Sequence, residues 1–241
     1  MAIKRKYFAF VILVLASACA NEGGPAPKND SDYFPMEVGA YHTYDVEETR
    51  YEALGGQEDL QYQLKLSVVG SFENSEGGIT YAVQRFTDNK GNGFEYLDTW
   101  SVRIGPSRVV VSEGGIDFVK LAFPLSKGRQ WNGNALNTLG GDEGCGDNAT
   151  FSCDTYEVTD TGFPFSLNGD VLNETLEVVQ SNNPDLIVKQ DVRKEIYARH
   201  IGLVYKEATV LEYCTVGDCI GKQQIEKGYT LKQTLTAYGK E

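Results

Sequence analysis

The side chains that could carry chemistry in this chain are five cysteines, two histidines and many carboxylates. His42 and His200 are far apart in sequence, and we find no metalloprotease, nucleophile-elbow, phosphate-loop or dinucleotide-binding motif. The 241 residues hold 34 Asp and Glu against 22 Lys and Arg, which gives a formal net charge of −12. This balance argues against nucleic-acid binding, because phosphate contacts need a cationic surface.

Four of the cysteines, Cys145, Cys153, Cys214 and Cys219, lie in the second half of the chain. An even number of cysteines in an exported protein predicts disulfides, and three pairings are possible. The local pairing, 145 with 153 and 214 with 219, would close two short loops. A four-cysteine zinc site is the alternative, but neither spacing is the usual C-x2-C. We therefore expect two disulfides and no metal.

The histidines and the acidic loops give no catalytic assignment. We expect His42 to lie on the surface of a strand and His200 on the surface or in a turn, and we predict no catalytic residue, metal ligand or cofactor. The stretch 88–93 imitates the start of a calcium-binding loop. Lys90 and Thr99 stand at two of its ligand positions, however, so the match fails.

The N-terminus carries an export signal. Residues 4–6 are basic and residues 7–15 form an apolar run that is too short to span a bilayer, as in a secretory signal. The small residues 16–18 before Cys19 resemble the lipobox of bacterial lipoproteins, although Leu15 stands one place further from the cysteine than the usual leucine. An ordinary signal peptide cut near Ala18 or Ala20 is the alternative.

The lipoprotein resemblance implies a membrane-anchored envelope protein. Residues 1–18 would be removed, and Cys19 would become the lipidated, acylated (palmitate-type) N-terminus. Ala20 follows the cysteine, where Asp would retain a lipoprotein at the inner membrane, so we expect the outer membrane. Residues 19–31 lack large apolar side chains and are predicted to be a flexible tether.

Residues 32–241 are predicted to form one all-β domain. Apolar residues alternate with polar ones, for example over 60–68, 100–104 and 229–237, and glycine-rich turns separate the runs. We expect a curled antiparallel sheet or incomplete β-barrel of about nine to eleven strands. Val188, Val192 and Ile196 also fit a helix, but we favour a strand there. Pro35 would place Phe34 and Met36 as plugs at the mouth of the sheet.

Three stretches resemble a group of uncharacterised bacterial lipoproteins. They are the Y-F-P-M-x-V-G opening at 33–39, F-P-L with W-N-G at 123–133, and I-G-L-V at 201–204. The resemblance implies a curled sheet, similar to the half-barrel of the LolA-type lipoprotein carriers, and no known activity.

Three functional classes remain open from the sequence. The first is a non-catalytic envelope lipoprotein that binds or scaffolds another envelope component. The second is a carrier of a lipid or other apolar ligand in a concave sheet, for which a deep apolar cavity would be needed. The third is an envelope-polymer hydrolase, which would need paired carboxylates near an aromatic platform such as Trp100 or Trp131.

The lipobox generates a direct prediction. The variant Cys19→Ser cannot take a thioether-linked lipid, so it should move from the membrane to the soluble exported fraction. Fractionation followed by immunoblotting measures the change, and Cys214→Ser is the control for loss of another cysteine. Membrane association that is unchanged in Cys19→Ser would contradict the prediction.

Overall fold

The structure is a computed structural model that describes residues 29–53, 55–75, 77–89, 91–139 and 154–241. Within these ranges it contains fourteen strands and two short 3-10 turns, at Asp30–Tyr33 and Gly217–Cys219. The strands are β1 (Ala40–Glu52), β2 (Gly56–Glu73), β3 (Ile79–Asp88), β4 (Glu95–Ile104), β5 (Arg108–Glu113), β6 (Ile116–Ala122), β7 (Gln130–Asn132), β8 (Thr155–Thr161), β9 (Phe165–Leu167), β10 (Asp170–Leu172), β11 (Thr175–Pro184), β12 (Lys189–Ala198), β13 (Gly202–Tyr213) and β14 (Ile225–Lys240). In these ranges no helix has the length and hydropathy that a membrane span requires.

Twelve strands form one antiparallel sheet in the order β6-β5-β4-β3-β2-β1-β14-β13-β12-β11-β8-β7. Strands that follow each other in the chain lie side by side, except where β1 pairs with β14 and where β8 pairs with β11. The two edge strands, β6 and β7, nearly meet. The Val119 amide donates to the Gly133 carbonyl (2.9 Å) and the Trp131 indole donates to the Val119 carbonyl (2.8 Å). The sheet therefore nearly closes into a barrel.

The predicted all-β single domain is confirmed, but the predicted number of nine to eleven strands is wrong. The described residues form fourteen strands, twelve of them in the main sheet. Strands β7, β9 and β10 have three residues each, which is too short to show an alternating pattern. The ambiguous stretch around Val192 is strand β12, as favoured, and not a helix.

Alternation along the strands places one set of apolar side chains inside the barrel. The main core contains Val68, Val83, Val102 and Val111 from four successive strands of the sheet. A second cluster contains Ile196 and Val204, and the β9–β10 hairpin packs against it through four side chains, Phe163, Phe165, Leu167 and Leu172. The hairpin covers apolar surface that would otherwise face water.

The segment before β1 fills one end of the barrel, as predicted. Phe34 and Met36 pack against the main core. Arg199, in the turn after β12, holds this segment in place: it donates to the Asn29 carbonyl (2.8 Å), pairs with Asp32 (3.1 Å) and lies over the Tyr33 ring (4.5 Å). We call residues 33–36 the plug.

Gly228 lies on β14 between β1 and β13, where the strands pack too closely for a side chain. Its φ of +135° disfavours any side chain, and a Cβ there would lie 2.9 Å from the Leu211 Cα and even closer to the Val210 carbonyl oxygen. We expect Gly228→Ala to lower the free energy of unfolding by about 3 kcal/mol or more.

Gly217→Ala is the matched control for this substitution. Its φ is +61° and a Cβ there would meet nothing within 4 Å, so it tests the backbone conformation without the clash. We expect a loss of about 1–2 kcal/mol. Equal losses in urea titrations of the two variants would contradict the tight packing at Gly228.

Candidate functional site

The candidate site is a cavity of about 310 Å³ inside the barrel. Its walls are mostly apolar and come from β1–β6 and β12–β14, and the plug forms one end. Leu97 lies at the other end and is 45 % exposed, so the cavity reaches solvent there. The apolar lining comprises Phe34, Pro35, Met36, Tyr44, Tyr62, Leu64, Leu66, Val68, Val83, Leu97, Trp100, Val102, Val111, Tyr197, Leu203 and Leu231.

A network of charges lies against these apolar walls, with Lys120 of β6 at its centre. The Lys120 side chain is only 8 % exposed, and its ammonium lies 2.7 Å from Glu113 and 3.3 Å from Glu195. Glu195 also lies 3.6 Å from Lys206 and accepts a 2.5 Å hydrogen bond from the Tyr197 hydroxyl. All five side chains line the cavity.

The charged groups hold one another in their ionised forms. Burial alone would raise the pKa of Glu195, but Lys120, Lys206 and the Tyr197 hydrogen bond outweigh burial and lower it to about 2. The pKa of Glu113 is lowered in the same way, against burial, by Lys120 and Lys206. Burial would lower the pKa of Lys120, and the two carboxylates raise it instead.

This electrostatic balance decides what chemistry the carboxylates can perform. A general acid in glycoside hydrolysis needs a raised pKa, so that it is protonated when the substrate binds. Glu113 and Glu195 have lowered pKa values and are anionic at neutral pH, so they are poor proton donors. The arrangement favours binding of charge over proton transfer.

A further cation, Arg85 of β3, lies on the ring of Trp100, with its guanidinium carbon 3.9 Å from the ring centroid. Its Nε is 3.0 Å from an oxygen of Asp98. The two groups form an ion pair, but the N–H bond is not directed at the oxygen, so there is no hydrogen bond between them. Both Arg85 and Trp100 line the cavity. Trp131, the other tryptophan, instead packs outside the cavity against Val119 and neighbouring residues of β5 and β6.

His42 corrects the expectation of a surface position. It faces the cavity at the plug end, and its Nε2 lies 2.6 Å from the Ile201 carbonyl oxygen. Burial lowers its pKa, so the ring is mostly neutral at pH 7. Gly202, predicted at a turn or bulge, has φ +100°, and a Cβ there would lie 3.6 Å from both His42 and Pro35.

The predicted cysteine sites do not contribute to the cavity. Cys214 and Cys219 lie at disulfide distance, with an S–S separation of 2.00 Å, in the connection between β13 and β14. The predicted lipid-attachment residue Cys19 and the predicted pair Cys145 and Cys153 lie outside the described residues. In the described part of the chain no three His, Cys, Asp or Glu side chains converge to hold a metal ion.

Two other sequence features have structural roles. His200 lies exposed in the turn after β12 with φ +63°, as expected. The Asp88 carboxylate accepts hydrogen bonds from the amides of Gly91, Asn92 and Gly93. The calcium-like stretch is thus a loop whose aspartate binds backbone amides.

Sequence reasoning missed the charged residues of the site, although one signal was present. Lys120 interrupts the apolar stretch 118–123, and a single charge in such a stretch needs a buried partner or a route to water. Glu195 had no comparable local signal, because its neighbours Arg193 and Lys194 are also charged.

The Lys120 network generates a prediction about stability and pH. Lys120→Met leaves two buried carboxylates without their main counterion, so we expect a loss of about 3–5 kcal/mol at pH 7. In the wild type the pKa of Glu195 is lower in the folded than in the unfolded chain. This difference stabilises the fold at pH values above the unfolded pKa, and the stabilisation disappears as the pH falls toward 2.

The loss of stability in Lys120→Met should depend on pH. Without Lys120 the pKa values of Glu113 and Glu195 rise, so the loss relative to the wild type should be smaller at pH 4 than at pH 7. Urea titrations at both pH values measure this. Lys127→Met, which removes a largely exposed ion pair with Asp160, is the control and should change neither stability nor its pH dependence. A uniform loss at both pH values in Lys120→Met would contradict the network's role.

Comparisons with known proteins give two similarities of fold. No family model matches the chain, and no curated protein matches it. One similar structure is a "putative exported protein with YmcC-like fold" from Bacteroides fragilis NCTC 9343, at 14 % identity and a TM-score of 0.43. Another is a "putative lipoprotein" from Parabacteroides distasonis ATCC 8503, at 8 % identity and a TM-score of 0.43. Each similarity covers 86 % of this chain and 98 % of the other. At these TM-scores neither similarity bears on function.

Proposed function

We propose that this chain is a lipid-anchored protein of the bacterial cell envelope that binds a small apolar or amphipathic ligand inside its barrel, without catalysing a reaction. The observation that carries the proposal is the apolar cavity of about 310 Å³. Its volume lies at the small end of the ~300–1,000 Å³ range of small-molecule sites. The N-terminal lipobox supports the envelope location and the lipid anchor.

The unfilled interior supports a ligand-binding role. Protein interiors are usually packed as densely as organic crystals, and a cavity forfeits the dispersion contacts of the side chains that line it. Leu64, Leu66, Val68 and Val83 on β2 and β3 face this space without filling it. An apolar ligand would restore those contacts and remove the same surface from water.

The cavity favours the carrier alternative over a scaffold role. A scaffold would be expected to have a filled interior and to expose its binding surface on the outside. The lowered pKa values of Glu113 and Glu195 weigh against the hydrolase alternative. Binding without turnover is therefore the activity that the site supports best.

A neutral apolar probe tests the proposal directly. N-phenyl-1-naphthylamine becomes fluorescent in apolar surroundings, so its titration into the full-length chain with Cys19→Ser should show a saturable increase. Leu66→Trp adds bulk to the cavity wall and should weaken probe binding about tenfold or more while maintaining or raising Tm. Val69→Trp, at a position that is 48 % exposed on the same strand, should leave binding unchanged.

Three outcomes would contradict the proposal. The first is no saturable probe binding, and the second is equal binding by the Leu66→Trp and wild-type chains. The third is turnover of a glycan, peptide or lipid ester that disappears in Glu195→Gln while the fold is retained. An apolar molecule that copurifies with the wild type and is absent from Leu66→Trp would support it.

A further inference from the structure

We infer that the ligand carries a single anionic group, a carboxylate or a phosphate, on an apolar body, and that Arg85 is the residue that binds this group. This inference rests on the proposed function, because it specifies the chemistry of the ligand that the barrel would hold. It follows from the position of Arg85, from its unused terminal nitrogens, and from the shape of the apolar wall.

Arg85 presents an uncommitted guanidinium edge inside the cavity. Its side chain is only 15 % exposed, and its Nε faces Asp98 at 3.0 Å. The two terminal nitrogens donate to no residue in the described ranges. Arginine nitrogens bind carboxylate and phosphate oxygens in a planar, bidentate geometry, so an anion in the cavity would satisfy these donors.

Trp100 fixes the plane in which Arg85 can accept an anion. The guanidinium carbon lies 3.9 Å from the centre of the indole ring, which is the distance of a stacked cation–π contact. Stacking restricts the rotation of the guanidinium and leaves its edge free. An arginine that is already held in place loses less conformational entropy when it binds an anion.

The other cations of the lining are already compensated by carboxylates. Lys120 is neutralised by Glu113 and Glu195, and Lys206 lies 3.6 Å from Glu195. Arg85 faces Asp98 through its Nε, and its terminal nitrogens donate to no described residue, so they are the cationic donors that remain for a ligand.

Lys206 is a further cation of the lining. We expect it to contribute less than Arg85 to anion binding, because Glu195 at 3.6 Å already neutralises part of its charge.

The apolar wall defines the rest of the ligand. From Arg85 the lining continues through Leu66, Val83 and Val102 to the plug at Met36, with no further cation on these positions. A volume of about 310 Å³ suits one narrow apolar chain or a small ring system rather than a lipid with two acyl chains. The ligand class is thus a single-chain amphiphile whose acid group lies at Arg85.

A series of ligands with one chain length and different head groups tests the inference. Dodecanoate, dodecyl phosphate, dodecanol and dodecylamine are titrated into the full-length Cys19→Ser chain below their critical micelle concentrations. The readout is the heat of binding in isothermal titration calorimetry, which needs no change to the barrel. We expect the two anions to bind about tenfold or more tightly than dodecanol, and dodecylamine to bind most weakly. The ratio of dodecanoate to dodecyl phosphate affinity distinguishes a carboxylate from a phosphate ligand.

Two variants with opposite expected effects distinguish anion binding by Arg85 from a general effect on the fold. Arg85→Met should weaken dodecanoate binding about tenfold or more and change dodecanol binding less than about threefold. Asp98→Asn removes the carboxylate that competes for Arg85 and should tighten dodecanoate binding. Both variants are measured alongside their urea unfolding curves, so a loss of fold is recognised.

Each outcome bears on one of the two proposals. If dodecanol and dodecanoate bind equally, or if Arg85→Met weakens both equally, the inference about Arg85 is wrong and the ligand-binding function stands. If none of the four amphiphiles binds and the neutral probe also fails, the proposed function itself is wrong. If Arg85→Met does not fold, the head-group series and the Asp98→Asn variant decide between these outcomes.

Discussion

The buried ammonium of Lys120 sets a condition that the whole barrel must meet. An ammonium in an apolar interior costs several kcal/mol unless anions approach it closely. Glu113, on the adjacent strand β5, supplies one carboxylate at 2.7 Å, and Glu195, on β12, supplies the other at 3.3 Å. Strand β6 is an edge of the sheet and β12 lies near the opposite edge. Lys120 can reach Glu195 only when the sheet curls back on itself, so this interaction depends on the near closure through β7 and stabilises it in return.

The sequence was sufficient for the architecture because the architecture depends on local patterns. Alternation with a period of two identified the strands, and glycine-rich turns separated them. Pro35 cannot donate to a strand ladder, and this correctly located the plug residues Phe34 and Met36 before the first strand. A curled sheet or incomplete barrel was expected, but the way its edges meet could not be predicted, because it depends on hydrogen bonds between Val119, Gly133 and Trp131 that no periodicity encodes.

The site was harder to predict because the inward face depends on register. One extra residue in a strand exchanges the two faces, and the ladders contain irregularities such as those between Val109 and Val110 and between Ile196 and Tyr197. The surface position expected for His42 overlooked the alternation of β1. Tyr44 and Val46 have the same parity as His42 and are buried, so they mark its side as the inner one. Arg85 and Glu195 are ordinary charged residues in sequence, and they form a site only after strands distant in the chain are paired.

Stability alone does not account for the lining of the cavity. Replacing buried ion pairs by apolar side chains of similar size is often neutral or stabilising, by roughly 1–4 kcal/mol. A barrel of this size could therefore be filled with aliphatic residues alone. The structure instead keeps Lys120 saturated by two carboxylates and leaves the terminal nitrogens of Arg85 without a partner among the described residues. The charge of Lys120 is therefore neutralised within the protein, whereas the terminal nitrogens of Arg85 obtain acceptors only from an anion or from water. An interior that combines apolar walls with one incomplete cation has the composition of a binding site for an amphiphile.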